Sequence, residues 1–98
     1  MTINETRNGD ELIISLEGRL DTMTAPELEE ELKKVLPETK QLTFDFEGLE
    51  YISSAGLRVL LAAQKCMNKQ GTMVVRNVNE TISEIFEVTG FNDILTIQ

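Results

Sequence analysis

Short apolar segments and amphipathic segments alternate along almost the whole of this 98-residue chain. After a pair of N-terminal apolar segments, the order is helix, strand, helix, strand, helix, strand. Such alternation is typical of an α/β domain in which crossover helices cover a mostly parallel sheet. The length suits one domain around one core. We therefore predict a single α/β domain over residues 1–98, with a small mixed sheet of about five strands and three or four helices.

The N-terminal segments predict a β-hairpin. Thr2–Arg7 and Glu11–Glu17 are separated by a turn that contains Asn8 and Gly9. Asn-Gly is favoured in tight hairpin turns, where both central residues need a positive φ. The hairpin would add an antiparallel edge to the sheet, and we expect a loop over Gly18–Met23 to follow it.

The first helix is predicted from its end signals. Thr24 is followed three residues later by Glu27, which is the spacing of a capping box. Pro26 fits the first turn of a helix, and Pro37 is expected to end it. Apolar residues recur at helical spacing and should form the buried stripe: Leu28, Leu32, Val35 and Leu36.

The rest of the chain predicts three strands and two helices. Apolar runs bounded by polar residues indicate the strands, and a cap and a glycine stop mark the last helix. The strands are Leu42–Phe46, Thr72–Val78 and a short one from Ile94 to Ile97. The helices are Ala55–Lys69 and a segment capped by Asn79 and ended by Gly90. The inward-facing residues of that last helix should be Ile82, Ile85, Phe86 and Thr89.

Two serines lie where the second predicted helix begins. Ser53 and Ser54 belong to the segment Tyr51–Leu57, which follows the apolar run Leu42–Phe46 and leads into the helix. A serine at this position can cap the helix by accepting a hydrogen bond from a free backbone N–H group. A phosphate would also be tolerated there, because the helix N-terminus carries a partial positive charge. Capping and a phosphorylation switch are therefore both open for this pair.

The helix that follows has a core face and a cationic face. On a helical wheel, Cys66 lies on the core side, which favours a small buried hydrophobe over a nucleophile. Leu61 lies on the opposite, exposed side, either as a singly exposed leucine or as an apolar anchor for a partner. The other residues on that side are Ser54, Arg58, Ala62, Lys65 and Lys69.

Composition excludes several classes of function. The net charge of −8 argues against nucleic acid and anionic membranes as partners. The chain has no histidine, so Ser-His-Asp catalysis and most zinc sites are excluded. No phosphate-binding glycine loop is present, and we expect no cofactor. A magnesium site built from Asp21 and Asp45 is a weaker alternative.

The N-terminus lacks the basic and apolar segments of a signal peptide. The longest apolar run, Val59–Ala63, is far too short to span a bilayer. We expect a cytoplasmic protein without membrane insertion.

Two motifs resemble those of the STAS domain family, the anti-sigma factor antagonists of bacteria. The stretch Leu42–Leu61, LTFDFEGLEYISSAGLRVLL, is similar to the family signature. The stretch Leu16–Leu32, LEGRLDTMTAPELEEEL, resembles the family's other recurring element. The resemblance covers essentially the whole chain and implies a small mixed sheet packed with helices.

The resemblance implies a regulatory protein and not an enzyme. The best-known branch binds a GHKL-type serine kinase that is also an anti-sigma factor, and so frees a sigma factor. Phosphorylation of the antagonist by that kinase ends the binding, and a PP2C-type phosphatase reverses it. The phosphorylated serine aligns with Ser54, with Ser53 as the alternative. The implied partner-binding residues are Asp21, Thr22, Ser53, Ala55, Gly56, Arg58 and Leu61.

Other roles in this family are also open. STAS domains occur as unphosphorylated subunits of membrane transporter complexes, where Ser54 would only cap its helix. Nucleotide binding has been proposed for some members, although this chain has no phosphate loop to support it.

Overall fold

The computed structural model describes all 98 residues of the chain. It contains four strands, three α-helices and two short 3₁₀ turns. The strands are β1 (Thr2–Asn8), β2 (Glu11–Leu20), β3 (Gln41–Ile52) and β4 (Thr72–Arg76); the helices are α1 (Ala25–Val35), α2 (Ser54–Gln70) and α3 (Glu80–Thr89); the 3₁₀ turns are Leu36–Glu38 and Phe91–Asp93.

The strands form one mixed sheet in the order β1-β2-β3-β4. β1 and β2 are antiparallel, whereas β2, β3 and β4 run parallel to one another. The prediction of a mixed sheet with an antiparallel N-terminal edge is confirmed. The prediction of a fifth strand is wrong, because the C-terminal segment makes only an isolated bridge between Ile97 and Val75.

The hairpin is confirmed, but its turn lies one residue later than expected. Asn8 pairs with Glu11, so the two loop residues are Gly9 and Asp10. Only Gly9 among them has a positive φ, at 68°. Glycine at the first central position is typical of a type II′ turn, which does not need a second residue at positive φ.

β2 and β3 are longer than the apolar pattern indicated. β2 continues to Leu20, so Gly18 lies in a strand and not in a loop. β3 has 12 residues and extends to Ile52. The register between the two strands shifts between Ser15 and Glu17 and again after Gly18. These irregularities break the alternation from which strand ends are predicted.

The helices cover one face of the sheet. Alternate side chains of β2, β3 and β4 are buried on that face, and the intervening residues are half-buried or exposed. α1 packs beside α2, α2 contacts β3 and β4, and α3 contacts β3. The largest fully buried side chains are Phe44, Phe46, Phe86, Leu12, Ile14, Leu16, Leu20, Leu28, Leu42, Leu49, Ile52 and Leu60.

The ends of α3 agree with prediction. The side chain of Asn79 accepts a hydrogen bond from the Ile82 amide at 2.8 Å, and Gly90 follows the helix with φ at 79°. Thr89 is exposed, contrary to the prediction, and its hydroxyl donates to the Ile85 carbonyl at 2.6 Å. No helix in the structure combines the length and the apolar character needed to cross a membrane.

Candidate partner-binding site

The two sequence motifs meet at the carboxyl ends of β2 and β3. Leu20 and Ile52 are register partners in this parallel pair. One residue beyond, the amide of Ser53 donates a hydrogen bond to the Leu20 carbonyl at 2.9 Å. The loop that starts at Asp21 therefore lies beside the N-terminus of α2. Such edges of α/β sheets are common places for binding sites.

Ser53 caps α2, and Ser54 does not. Ser53 has an extended backbone, and its hydroxyl oxygen accepts a hydrogen bond from the Gly56 amide at 3.4 Å. Its carbonyl accepts from the Leu57 amide at 2.9 Å. Ser54 is the first helical residue, is exposed, and makes no side-chain hydrogen bond to the protein. The capping interpretation thus belongs to Ser53 and leaves the Ser54 hydroxyl free.

Gly56 allows close packing between the start of α2 and the sheet. It is buried, and a Cβ atom there would lie 2.7 Å from Leu20 Cγ and 2.8 Å from Ile52 Cγ1. Such distances are shorter than side chains tolerate, so glycine allows α2 to approach the ends of both strands. Gly56 therefore supports the site from within and offers no exposed surface to a partner.

Asp21 organises the loop between β2 and α1. Its Oδ1 atom accepts hydrogen bonds from the amides of Met23 at 3.0 Å and Thr24 at 3.2 Å. Its carbonyl accepts from the Ala25 amide at 2.8 Å. The predicted capping box is wrong, because Thr24 makes no side-chain cap bond and its hydroxyl donates to the Arg19 carbonyl at 2.8 Å. A side-chain turn at Asp21 replaces it.

The electrostatics of the loop favour a charged Asp21. Partial burial raises the pKa of this carboxyl, but hydrogen bonds from the Met23 and Thr24 amides and the nearby Arg19 charge outweigh it. The pKa of Asp21 is therefore lowered from its ordinary value of 3.8. Arg19 Nε lies 3.8 Å from Asp21 Oδ2.

Arg19 and Tyr51 were missed by the sequence analysis. The two are register partners, and the Arg19 guanidinium lies 4.5 Å from the centre of the Tyr51 ring, which is cation–π geometry. Their pairing follows the second register shift between β2 and β3, so no regular strand pattern reveals it.

A shallow cleft brings three of the predicted contact residues together. Thr22, from the Asp21 loop, and Ala55 and Arg58, from α2, all line it. Its volume is about 290 Å³, and its remaining lining residues are Ala25, Pro26, Glu29 and Val59. The loop and the start of α2 thus form one continuous surface.

The cationic face of α2 is confirmed, but Leu61 is not fully exposed. Arg58, Lys65 and Lys69 are exposed, whereas Leu61 is half-buried and does not line the cleft. A helical wheel gives the direction of a side chain but not how far neighbouring elements shield it. Leu61 is also seven residues from Ser54, about 10 Å along the helix.

The comparisons identify the family. The family model described as "Mlab, STAS domain" matches residues 3–96. The chain belongs to the STAS domain family. It is 30% identical over 101 aligned positions to the anti-sigma-B factor antagonist of Staphylococcus aureus strain NCTC 8325, covering 99% of this chain and 94% of that protein.

Solved structures show the same STAS fold. An anti-sigma factor antagonist from Mycobacterium paratuberculosis superposes with a TM-score of 0.89 at 23% identity, covering 98% of this chain and 83% of that one. The Bacillus cell fate determinant SpoIIAA in its phosphorylated form gives a TM-score of 0.78 at 16% identity, covering 99% and 91%.

Asp45 does not belong to the site of this STAS domain. Asp45 pairs in register with Ser15 on β2, and Asp21 lies six residues further along. At the rise of a β-strand, the two carboxylates are about 20 Å apart and cannot share a magnesium ion. Asp45 instead accepts from Asn77 Nδ2 at 2.9 Å and lies 3.5 Å from the Arg76 guanidinium.

Cys66 is only half-buried, although it packs against the core as the helical wheel indicated. It lines a groove of about 490 Å³ between α1 and α2. Its Sγ atom lies 3.6 Å from Gln70 Oε1.

Proposed function

We propose that this STAS domain is an anti-sigma factor antagonist whose binding is switched by phosphorylation of Ser54. Unphosphorylated, it would bind a GHKL-type anti-sigma factor kinase and so release a sigma factor. A PP2C-type phosphatase would restore the binding state. In this proposal the protein is cytoplasmic and is not an enzyme. The name of the staphylococcal relative supports the general role.

The observation that carries the proposal is that only one of the two serines is used as the helix cap. Ser53 provides the helix cap, while the Ser54 hydroxyl is exposed and unbonded. A group transferred to Ser54 would therefore break no hydrogen bond of the fold. The same group on Ser53 would displace the cap, which makes Ser53 the weaker candidate.

The expected effect of the phosphate is local. It adds a charge of about −1.5 to −2 at the positive end of the helix, which stabilises it. Arg58 lies four residues further along the same exposed face, at the spacing of helical ion pairs. A phosphate on Ser54 would engage Arg58 and present a dianion where a partner had met a hydroxyl. Desolvating that dianion is costly, so the partner is released.

The transporter-subunit alternative needs Ser54 only as a helix cap. Ser53 already fills that role, which leaves Ser54 without a structural function in the isolated domain. The alternative also predicts that the charge at Ser54 has no effect on binding.

The test is a comparative capture experiment with four baits. Wild type, Ser54→Ala and Ser54→Glu are matched with Ser83→Glu, which adds the same charge at an exposed serine of α3. Each bait is checked for folding by circular dichroism and used with lysate of the source organism. Captured proteins are identified by mass spectrometry, and the kinase is then incubated with wild type and ATP to map the modified serine.

We expect wild type, Ser54→Ala and Ser83→Glu to capture a GHKL-type kinase and Ser54→Glu to fail. We also expect the transferred phosphate to be found on Ser54. Capture of the same transporter subunits by all four baits would replace this proposal with the subunit role. Phosphate found on Ser53 alone would show that the modified residue is the helix cap, Ser53, and not Ser54.

A further inference from the structure

Met23 is the most exposed large hydrophobic residue of the domain. Its exposed fraction is 87%, compared with 82% for Val88 and 42% for Ile94. A single exposed hydrophobic residue is ordinary and by itself indicates nothing. Two further observations distinguish Met23 from Val88, which is nearly as exposed but lies near the end of α3.

The backbone that carries Met23 is held firmly. Its own amide donates to Asp21 Oδ1 at 3.0 Å, and the next amide, of Thr24, donates to the same atom at 3.2 Å. The Thr24 hydroxyl donates to the Arg19 carbonyl at 2.8 Å and ties the loop back to β2. A side chain presented from an ordered backbone loses less conformational freedom on binding than one on a mobile loop.

Met23 also adjoins the surface of the proposed switch. The preceding residue, Thr22, lines the cleft together with Ala55 and Arg58. The hydrogen bond from the Ser53 amide to the Leu20 carbonyl joins this loop to the start of α2. A protein that covers Ser54 and occupies the cleft therefore reaches the loop residue next to Thr22.

We infer that Met23 is an apolar anchor that the anti-sigma factor buries, an inference that rests on the proposed function. The half-buried Leu61 does not supply an exposed apolar contact, and the residues around Ser54 are small or charged. A few well-buried residues commonly carry most of the affinity of an interface. Methionine suits this role because its unbranched side chain adapts to the pocket that receives it.

In this arrangement affinity and switching come from different residues. Met23 supplies affinity in both phosphorylation states, while Ser54 determines whether the complex forms at working concentrations. A change at Met23 should therefore weaken binding without changing the ratio of affinities between Ser54→Ala and Ser54→Glu.

The test measures the dissociation constant of the complex between this protein and the purified GHKL-type anti-sigma factor that the capture experiment identifies. The titrations use the Ser54→Ala protein as the reference, with Met23→Gln, Met23→Leu or Val88→Gln added. Met23→Gln keeps the length of the side chain and removes its apolar character. Val88→Gln makes a comparable apolar-to-polar change at an equally exposed position outside the site.

We expect Met23→Gln to raise the dissociation constant about tenfold or more, as for a residue that anchors an interface. Met23→Leu should stay within about threefold of the reference and Val88→Gln should leave it unchanged. All variants should keep the reference melting temperature, because both side chains are exposed.

Each other outcome overturns the inference in a recognisable way. Unchanged binding by Met23→Gln removes Met23 from the interface and leaves the proposed function standing. Equal losses for Met23→Gln and Val88→Gln show a general effect of surface polarity. If the Ser54→Ala protein itself binds no anti-sigma factor, the proposed function and this inference fail together.

Discussion

The Ser53 amide donates a hydrogen bond to the Leu20 carbonyl, 2.9 Å away, and this contact joins the two motifs of the chain. Leu20 ends β2, and Ser53 follows the last residue of β3. The loop that begins at Asp21 and the helix that begins at Ser54 are therefore fixed relative to each other. The loop and the start of α2 thus form one preformed surface, and the Ser54 side chain on it makes no hydrogen bond to the protein.

The first prediction separates the two serines by stability. Ser53→Ala removes the helix cap and should lower the free energy of unfolding by about 0.5–1 kcal/mol, the low end for caps because the bond is long. Ser54→Ala removes an unbonded hydroxyl and should stay within about 0.5 kcal/mol of wild type. Chemical denaturation monitored by circular dichroism measures both. Equal losses for the two variants would contradict the assignment of the cap to Ser53.

The second prediction concerns Gly56. Replacing an ordinary helical glycine by alanine stabilises a protein by about 0.4–1 kcal/mol. Here the added methyl group would lie 2.7 Å from Leu20 Cγ, so Gly56→Ala should instead destabilise by about 1–3 kcal/mol.

A double-mutant cycle tests the stated cause of that loss. Gly56→Ala should cost clearly less when Leu20→Ala has already removed the side chain that it meets. If the cost of Gly56→Ala is the same in both backgrounds, contact with Leu20 is not its origin.

The order of the elements as far as α3 and the strand-to-helix corner at Ser53 and Ser54 could be predicted from the sequence, because both depend on local signals. The Asn79 cap, the Gly90 stop and the Ser53-Ser54 corner are marked by residue types with strong positional preferences. These signals give the type of an element and one of its ends. They do not depend on how distant parts of the chain pack.

The features that could not be predicted depend on distant contacts or on competition between similar signals. The register shifts in β3 conceal the Arg19–Tyr51 pair, and the direction of Leu61 on a helical wheel does not give its partial burial. At the start of α1, Thr24 and Asp21 can both form side-chain turns. The Asp21 carboxylate accepts from two amides there, so the expected capping box does not form.

The third prediction is the pH dependence that Asp21 contributes. Partial burial opposes the charge, but the loop amides and Arg19 favour it, so the folded-state pKa lies below 3.8. A lowered pKa contributes stability that is fully present above 3.8 and is lost as the pH falls through the folded value. Asp21→Asn should thus be less stable than wild type at pH 7, and the difference should shrink below pH 3.8.

Denaturation of both proteins at pH 7, 5, 4 and 3 measures this difference, and an NMR titration of the Asp21 carboxyl gives its pKa directly. A pKa above 3.8, or a difference that grows toward low pH, would show that the loop does not stabilise the charged form.

The fourth prediction has the opposite sign and concerns Glu5 on β1. Burial raises its pKa above 4.5, with added contributions from a hydrogen bond and charge repulsion by Glu31 that Arg7 and Lys34 only partly offset. A raised carboxyl pKa contributes stability below 4.5 that is lost as the pH rises through the folded value. Glu5→Gln should therefore stabilise the protein at pH 7, by about 0.2–0.5 kcal/mol for an exposed like-charge pair.

The control for this prediction is Glu30→Gln. Glu30 is an exposed residue of α1 whose carboxylate lies 3.3 Å from Lys33 Nζ, so its removal should give no gain in stability. Because Glu5 and Glu31 repel each other, either substitution alone relieves the repulsion. The gain in stability of the double variant Glu5→Gln, Glu31→Gln should therefore be smaller than the sum of the two single gains. Additive gains, or a gain from Glu5→Gln that persists at pH 3, would mean that relief of this repulsion is not the cause.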